Sequence, residues 1–376
     1  MMTSVIGDVQ ELGLDSNLVS DFYRNHWARK IALSIPSFYQ WQFKQSPSDC
    51  GNDHCMVAVN DSSGEIQGVM GLNRRPFFLN GSLRDGAELT TWIVAEKYVG
   101  KGIGAKILKK IQSKYEVLIG MGITDKALPI YMRSGFRYTK SIPRFCKVFD
   151  FDAISDYAQY TPLARKLTRE WAKTGKHTPF ICNSSIDADI QASQANPLEQ
   201  FNHFSRAKEF LEWRFSKHPV FKYQQHIVYS DAEPGGGAFV CMRVEAGINN
   251  LKVLHVMDCF GDPLDMQAAI SFINAFCRDN GVHLADFYCT SPRINRHFIF
   301  DGWFSTNDDH CFQFPHLFHP IELRDPPTTS LIYWSRDDFL DMADISKLYI
   351  TKQDADLDRP TAETYKSLHG GNGEFS

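Results

Sequence analysis

The sequence predicts an α/β fold with mixed sheets, built as two tandem domains of one type. Three observations lead there. At 376 residues the chain is long enough for two ordinary domains, each able to bury its own core. The first half alternates strand and helix signals after an opening of antiparallel hairpins. Finally, the stretch FLEWRFSKHP (210–219) repeats the Phe, Trp, Phe and Pro of FYQWQFKQSP (38–47) at the same internal spacing.

In the first half, residues 56–59 and 66–71 read as strands joined by the turn Asp61-Ser-Ser-Gly64, and Asn80-Gly81 marks a second, longer hairpin. A strand at 89–95, an amphipathic helix at 105–114, a strand at 117–123 and a short helix at 128–134 follow. From 152 to 201 the pattern loosens. A helix candidate at 163–173 and a span rich in Ser, Asp, Asn and Gln at 182–196 place the domain connection there. The second half offers strands at 226–229, 237–244 and 252–258, a helix at 265–277, a strand at 283–288 and a short helix at 294–300. The order is that of the first half.

The landmarks recur at a similar offset. Trp41 and Gly135 are 94 residues apart, and Trp213 and Gly302 are 89 apart. A duplication repeats a whole layout rather than one word, so the repeated stretch reads as the same early helix end in two copies. The expected organisation is a first domain at 1–150, a connecting segment at 151–195, a second, degenerate domain at 196–335 and an extension at 336–376. The tail ends in Gly370-Gly-Asn-Gly373 and should fray.

Composition narrows the function. A net charge of −4 argues against a nucleic acid or anionic membrane as partner, and no stretch is apolar enough to span a bilayer. The first 33 residues are charged throughout, unlike a secretion signal, and nine cysteines without a C-x-x-C pair suit a reducing compartment. A cytoplasmic location is expected; the oligomeric state is open.

The most informative segment is TTWIVAEKYVGKGIGAKILKKI, where a strand runs into Gly100-Lys-Gly102-Ile-Gly104 and on into a helix. Glycines let backbone N–H groups face an anion, and the helix N-terminus adds partial positive charge, so a pyrophosphate can be held here without a cationic side chain. A dinucleotide-binding fold would begin with such a loop, whereas here hairpins come first. About thirty residues further on stands Ala127-Leu-Pro-Ile-Tyr131-Met-Arg-Ser-Gly135-Phe136. Together these two motifs resemble the GNAT superfamily of acyl-CoA-dependent N-acyltransferases, over roughly residues 5–149.

The resemblance implies acetyl-CoA or another acyl-CoA as cosubstrate and a small-molecule amine as acceptor. It places the CoA pyrophosphate on the backbone of Val99, Gly100, Lys101, Gly102, Ile103, Gly104 and Ala105. Tyr131 would protonate the departing thiolate. Strands 89–95 and 117–123 would splay to form a slot, with a backbone N–H near Val94 polarising the thioester carbonyl. Two positions depart from the family pattern: Val99 stands where Gln or Arg is usual, and Thr124 where Asn is common. The general base can be a carboxylate, a His or a water chain, and its position varies within the family. The candidates are Glu88, then Asp85, before the splayed strand, with His255 and Asp258 on the equivalent strand of the second copy, each also readable as a structural polar residue.

The copies are not equivalent. The second strand-to-helix junction, Met257-Asp-Cys-Phe-Gly-Asp-Pro-Leu264, has one glycine and two acids, and Phe298 holds the place of Tyr131. One CoA site is therefore expected, a layout that resembles mycothiol synthase and N-myristoyltransferase. The long hairpin and the tail motif Asp354-Ala-Asp356-Leu-Asp358-Arg-Pro360 loosely resemble acyltransferases of bacterial surface polysaccharides, which points to an amino sugar or its nucleotide-linked form. The alternatives are a Fem-like aminoacyl transferase, disfavoured by the net acidity and the intact glycine loop, and a catalytically silent GNAT-like binding protein. No metal is expected. Asp354, Asp356 and Asp358 have the opening spacing of a calcium loop, but Arg359 replaces its glycine and Tyr365 its closing Glu. The sets His310, Cys311, His316, His319 and Cys50, His54, Cys55 match no zinc spacing.

Overall fold

A computed structural model describes residues 4–173, 175, 177–183, 197–232, 234–305, 312–313, 321, 329–337, 341–356 and 358–369. The chain opens with β1 (Ser4–Asp8), α1 (Ser16–His26) and α2 (Pro36–Lys44). The hairpin of β2 (Met56–Asn60) and β3 (Ile66–Leu79) follows, and β3 turns into β4 (Ser82–Val94) through Asn80 and Gly81. Both turn residues have positive φ, as a two-residue hairpin loop whose twist matches its strands requires. Next come α3 (Ile103–Lys114), β5 (Val117–Met121), α4 (Leu128–Arg133) and β6 (Arg137–Thr139). Helix α3 buries Ile103, Ile107, Leu108 and Ile111, one face of a 3.6-residue period.

The middle of the chain carries β7 (Arg144–Val148), β8 (Gln159–Tyr160), α5 (Pro162–Ala172), β9 (Phe180–Asn183) and β10 (His203–Phe204). Helix α6 (Lys208–Leu211) runs on as a π-helical turn, Glu212–Ser216. The second half continues with β11 (Gln224–Ser230), β12 (Ala238–Ala246), β13 (Lys252–Gly261), α7 (Pro263–Asp279), β14 (Leu284–Tyr288) and α8 (Pro292–Phe300). Short strands β15 (Phe304–Ser305) and β16 (Phe312–Gln313), then β17 (Leu331–Ser335) and α9 (Ala362–His369), complete it. No helix among the described residues is long and apolar enough to cross a membrane. The expected fraying at 370–373, the polar span from 184 to 196 and the set at 310–319 lie outside the described residues.

Among the described residues, the strands form two mixed sheets and a two-stranded antiparallel pair of β8 with β16. The first runs β1-β2-β3-β4-β5-β17-β6, with β10 on the far part of β3; the second runs β15-β7-β14-β13-β12-β11-β9. Each has one parallel pair, β4 with β5 and β13 with β14, among antiparallel neighbours. Beyond its parallel pair, each sheet takes a strand from the other half: β17 lies against β5, and β7 against β14. The expected boundaries at 150 and 335 therefore cut across the sheets. Residues 144–148 fall within the expected first domain and 331–335 within the expected second, yet each pairs in the sheet of the other half. Strand–helix order is legible in a sequence, but the choice between two sheets with similar apolar edges is a long-range matter.

The repeated Trp stretches meet in space. Trp41 on α2 and Trp213 on the π turn stack at 5.5 Å between ring centroids, and the Trp213 indole N–H donates to the Trp41 carbonyl at 3.1 Å. The ends of α4 and α8 also match. The Phe136 N–H donates to the Tyr131 carbonyl at 3.1 Å and the Trp303 N–H to the Phe298 carbonyl at 3.0 Å, with Gly135 and Gly302 both at positive φ.

Between the sheets runs a chain of buried charge. The Arg206 guanidinium donates through Nε to Asp258 on β13 (3.0 Å) and through Nη1 and Nη2 to Asp354 in the tail (2.8 and 2.6 Å). Arg75 on β3 reaches the same Asp354 at 3.3 Å. Tyr349 and Thr351 donate to the other oxygen of Asp258. Removing one partner of such a set strands the others as unpaired buried charges. Arg206→Met should therefore cost about 3–5 kcal/mol in urea unfolding, and converting Asp258 and Asp354 to Asn in that background should restore part of the loss; a midpoint unmoved by Arg206→Met would remove the network from the stability of the fold.

Candidate active site

Strands β4 and β5 are paired only from Gly86 with Val117 to Leu89 with Gly120. Beyond Leu89 they separate. The cause is local: Gly71 on β3 stands opposite both Thr90 and Thr91, a bulge in β4 that bends the strand away from its neighbour. Glycine is required there, because a Cβ would lie 2.4 Å from Thr90 Oγ1 and 2.6 Å from Phe43 Cζ.

The gap opens into a cavity of about 780 Å³ lined by Thr90, Thr91 and Trp92 of β4, by Met121, Gly122, Ile123 and Thr124 after β5, and by Tyr131 of α4. The connection from α1 to α2 (Trp27, Arg29, Lys30) and the tail (Asp356, Arg359, Pro360) close it. These last two segments are tied together. The Ala362 N–H donates to the Lys30 carbonyl and the Ala32 N–H to the Pro360 carbonyl, at 3.0 and 3.2 Å.

Tyr131 is 2% exposed, and burial raises its phenol well above the ordinary value, so it stays protonated at neutral pH. Its ring packs edge-on against Trp92 and Phe136, each at 5.1 Å. Trp92 also carries the glycine loop, since a Cβ on Gly104 would lie 2.6 Å from Trp92 Cζ2. In the loop, Gly100 and Gly102 have φ of 80° and 77°, and a Cβ on either would meet nothing within 4 Å. Gly102 is the N-cap of α3, so the open side of that helix end presents backbone N–H groups. Val99, Lys101 and Ala105 are exposed around it, with the Lys101 ammonium 5.2 Å from the Tyr98 ring centroid, and Ile103 is buried.

Ala95 donates its N–H to Gln67 of β3, so alternation along β4 turns the Val94 N–H to the opposite edge, the one β5 has left. Thr124 holds the turn into α4: its carbonyl accepts from Ala127 and Leu128 at 3.0 Å each. Tyr131 and Thr124 thus share the large cavity, while Val94 and residues 99–105 lie outside its lining.

Glu88 occupies a second, smaller cavity of about 20 Å³, room for about one water. Asn73, Arg75, Arg214, Trp41, Trp213 and Gln42 surround it, and Asp356 and Arg359 line both cavities. The Glu88 carboxylate is 4% exposed and accepts from Asn73 Nδ2 at 2.9 Å. Burial pushes it up to about 7, against the opposing pull of Asn73, Arg75 and Arg214.

The remaining candidates are occupied structurally. Asp258 lies within the buried charge network, and His255 is held between Glu245 and Asp286, with Lys352 on its Nδ1. Asp85 is exposed on β4. The tail aspartates take protein partners: Asp354 pairs with Arg206, Asp358 with Arg243 and the Tyr223 hydroxyl, and Asp356 with Arg359. His54 faces Asp8 and Arg74. No group of three His, Cys, Asp or Glu able to hold a metal occurs among the described residues. Sequence reasoning singled out the tail motif without placing it, and it missed Gln42, Thr91, Trp92 and Arg214, which carry no local signal of function.

The second junction differs as its sequence suggests. Asp262 accepts from the Leu264 N–H at 2.9 Å, and Asp265 accepts from the N–H groups of Ser230, Gly235 and Gly237. The Leu264 N–H of that helix start is thus taken by Asp262, and Asp265 in the first turn holds amides of the neighbouring 230–237 segment. Phe298 stacks on Phe287 at 4.4 Å and is fully buried.

A splayed parallel pair beside a glycine-capped helix start defines an α/β acyltransferase-type fold. Residues 17–136 match the acetyltransferase (GNAT) family, and this segment is a GNAT domain. Among solved structures, a probable N-acyltransferase of unknown function from Enterococcus faecalis superposes with a TM-score of 0.52 at 11% identity, over 89% of this chain and 72% of that one. A GCN5-related N-acetyltransferase from Anabaena variabilis gives 0.49 at 9% identity, over 88% and 72%. Saccharomyces cerevisiae N-myristoyltransferase with bound myristoyl-CoA gives 0.49 at 10% identity, over 93% and 84%. A sequence search of curated proteins finds no match.

Glu88 has a measurable consequence for stability. Its carboxyl ionises near 4.3 in an unfolded chain and near 7 in the folded one, so between these values the native state binds the extra proton. That contribution is full below about pH 4 and disappears as pH rises through about 7, a loss of about 4 kcal/mol. Urea unfolding across this window should show the fall in the natural protein and its absence in Glu88→Gln; parallel curves would mean the side chain titrates normally.

Proposed function

We propose that the protein is an acyl-CoA-dependent N-acyltransferase that moves an acetyl or other short acyl group to a primary amine of a small molecule. The acceptor class suggested by the sequence is an amino sugar or its nucleotide-linked form. The observation that carries the reading is the separation of β4 from β5 beside the glycine loop, with Tyr131 in the resulting cavity. The N–H groups at 99–105 hold the pyrophosphate, and the Val94 N–H faces the thioester carbonyl. The amine nitrogen attacks that carbonyl, the C–N bond forms and the C–S bond breaks. Tyr131 gives its proton to the departing sulfur.

The proton lost by the amine goes to Glu88. A carboxyl ionising near 7 is matched to this task at neutral pH, and Asp356 and Arg359 line both its pocket and the large cavity. We read the second half as a duplicated, degenerate copy that no longer binds CoA. The occupied amides around Asp262 and Asp265 and the buried Phe298 support that asymmetry. Its role is to supply the far wall of the small cavity, through Trp213 and Arg214, and to brace the tail.

Gly102→Glu tests the loop. The new side chain has space, and the left-handed backbone costs about 1–2 kcal/mol, so the chain should fold while calorimetry shows acetyl-CoA binding abolished. Retained affinity in the folded variant would take the loop out of the site. Tyr131→Phe keeps the ring packing on Trp92 and should leave acetyl-CoA affinity intact while lowering kcat roughly 10²- to 10⁴-fold. Near-normal turnover would assign the proton to another donor.

A further inference from the structure

We infer that the acceptor amine also bears an anionic group, a carboxylate or a phosphoryl, and that Arg359 grips it where the two cavities meet. This rests on the acyl-transfer reading and adds to it the chemical class of the acceptor. The first observation is position. Arg359 and Asp356 are the tail residues that line both the large cavity and the Glu88 pocket, so an acceptor seated in the large cavity next to Glu88 lies against this guanidinium.

The second observation is an unbalanced set of donors. Arg359 has five N–H donors and its side chain is 12% exposed, yet among the described residues its ion partner is Asp356 and its buried Nε has no hydrogen-bond partner. The Asp356 carboxylate is shared in turn with Thr91 Oγ1 at 3.3 Å and Gln42 Nε2 at 3.4 Å. A fork of this kind left with spare donors at a cavity wall fits the paired oxygens of a carboxylate or phosphoryl group.

The third is rigidity. Asp354 and Asp358, on either side, are clamped by Arg206 and Arg243, and the Pro360 carbonyl is fixed to the Ala32 N–H. The guanidinium is thus held in place before any ligand arrives, which lowers the ordering cost of binding. Charge agrees: the large cavity is lined by Arg29, Lys30 and Arg359 against Asp356 and Glu363, an excess of one cation. A simple polyamine would meet the wrong sign.

The test uses the full chain with acetyl-CoA and acceptor pairs differing only in the anion: lysine against lysinamide, and glucosamine 6-phosphate against glucosamine. CoA release should favour the anionic member of at least one pair by about tenfold or more in kcat/KM, and the pair that responds distinguishes carboxylate from phosphoryl. Arg359→Gln should erase that preference through KM while calorimetric affinity for acetyl-CoA is kept. Arg359→Lys, which retains charge but not the fork, should erase most of it and serves if the Gln variant does not fold. Equal use of both members in each pair, or a preference that survives Arg359→Gln, overturns the inference. Thermal shift reads binding without turnover: the anionic member should stabilise the natural chain and not Arg359→Gln, and the absence of that difference also overturns it. Failure of acetyl-CoA to bind would instead overturn the acyl-transfer reading, and the thermal-shift arm would still decide the role of Arg359.

Discussion

The position of Asp354 between Arg206 and Arg75 is the constraint on which the rest of the structure depends. It ties together three stretches remote in sequence: β3 of the first sheet, the segment before α6, and the tail, with Asp258 of the second sheet joined through the same guanidinium. Buried ion pairs of this kind add little net stability compared with apolar packing, but they are intolerant of misplacement, because each charge left alone is costly. The tail is thereby given one path. That path carries Asp356 and Arg359 to the cavity wall and Asp358 to Arg243, and it sets Pro360 against the connection between α1 and α2.

The exchange of β7 and β17 acts in the same direction. Each sheet is completed by a strand from the other half, so neither half retains its full hydrogen-bonded ladder when separated. The stacked Trp41 and Trp213 close the same junction from the side of the helices. A cavity built across such a junction is held by covalently remote elements that cannot drift independently, which suits a site whose polar groups must stay in register.

The two halves share a backbone arrangement at one helix end and differ in the chemistry around it. The turn at the end of α4 and the turn at the end of α8 share hydrogen bonding and a glycine at positive φ. What differs is the side chain in front of each turn, Tyr131 at the edge of a cavity and Phe298 inside a stack of rings. At the strand-to-helix junctions, one helix start is open and capped by glycine, while the other is filled by Asp262 and its neighbour Asp265.

The sequence by itself determined the mixed α/β class, the Asn80-Gly81 hairpin, the glycine loop before α3, the placement of Tyr131 on α4 and the difference between the two strand-to-helix junctions. All of these rest on periodicity, turn chemistry or residue type over a few consecutive positions. Tertiary structure alone decided which sheet takes β7 and which takes β17, and which of the buried acids are structural. It also decided that Glu88 sits in a pocket of its own beside the one containing Tyr131, and that Asp356 and Arg359 stand between them. The physical reason is that pairing partners, burial and the balance of a buried charge are set by residues hundreds of positions away. Asp354, Asp356 and Asp358 look alike in the chain, and only the tertiary structure separates two anchors from the one that lines both cavities.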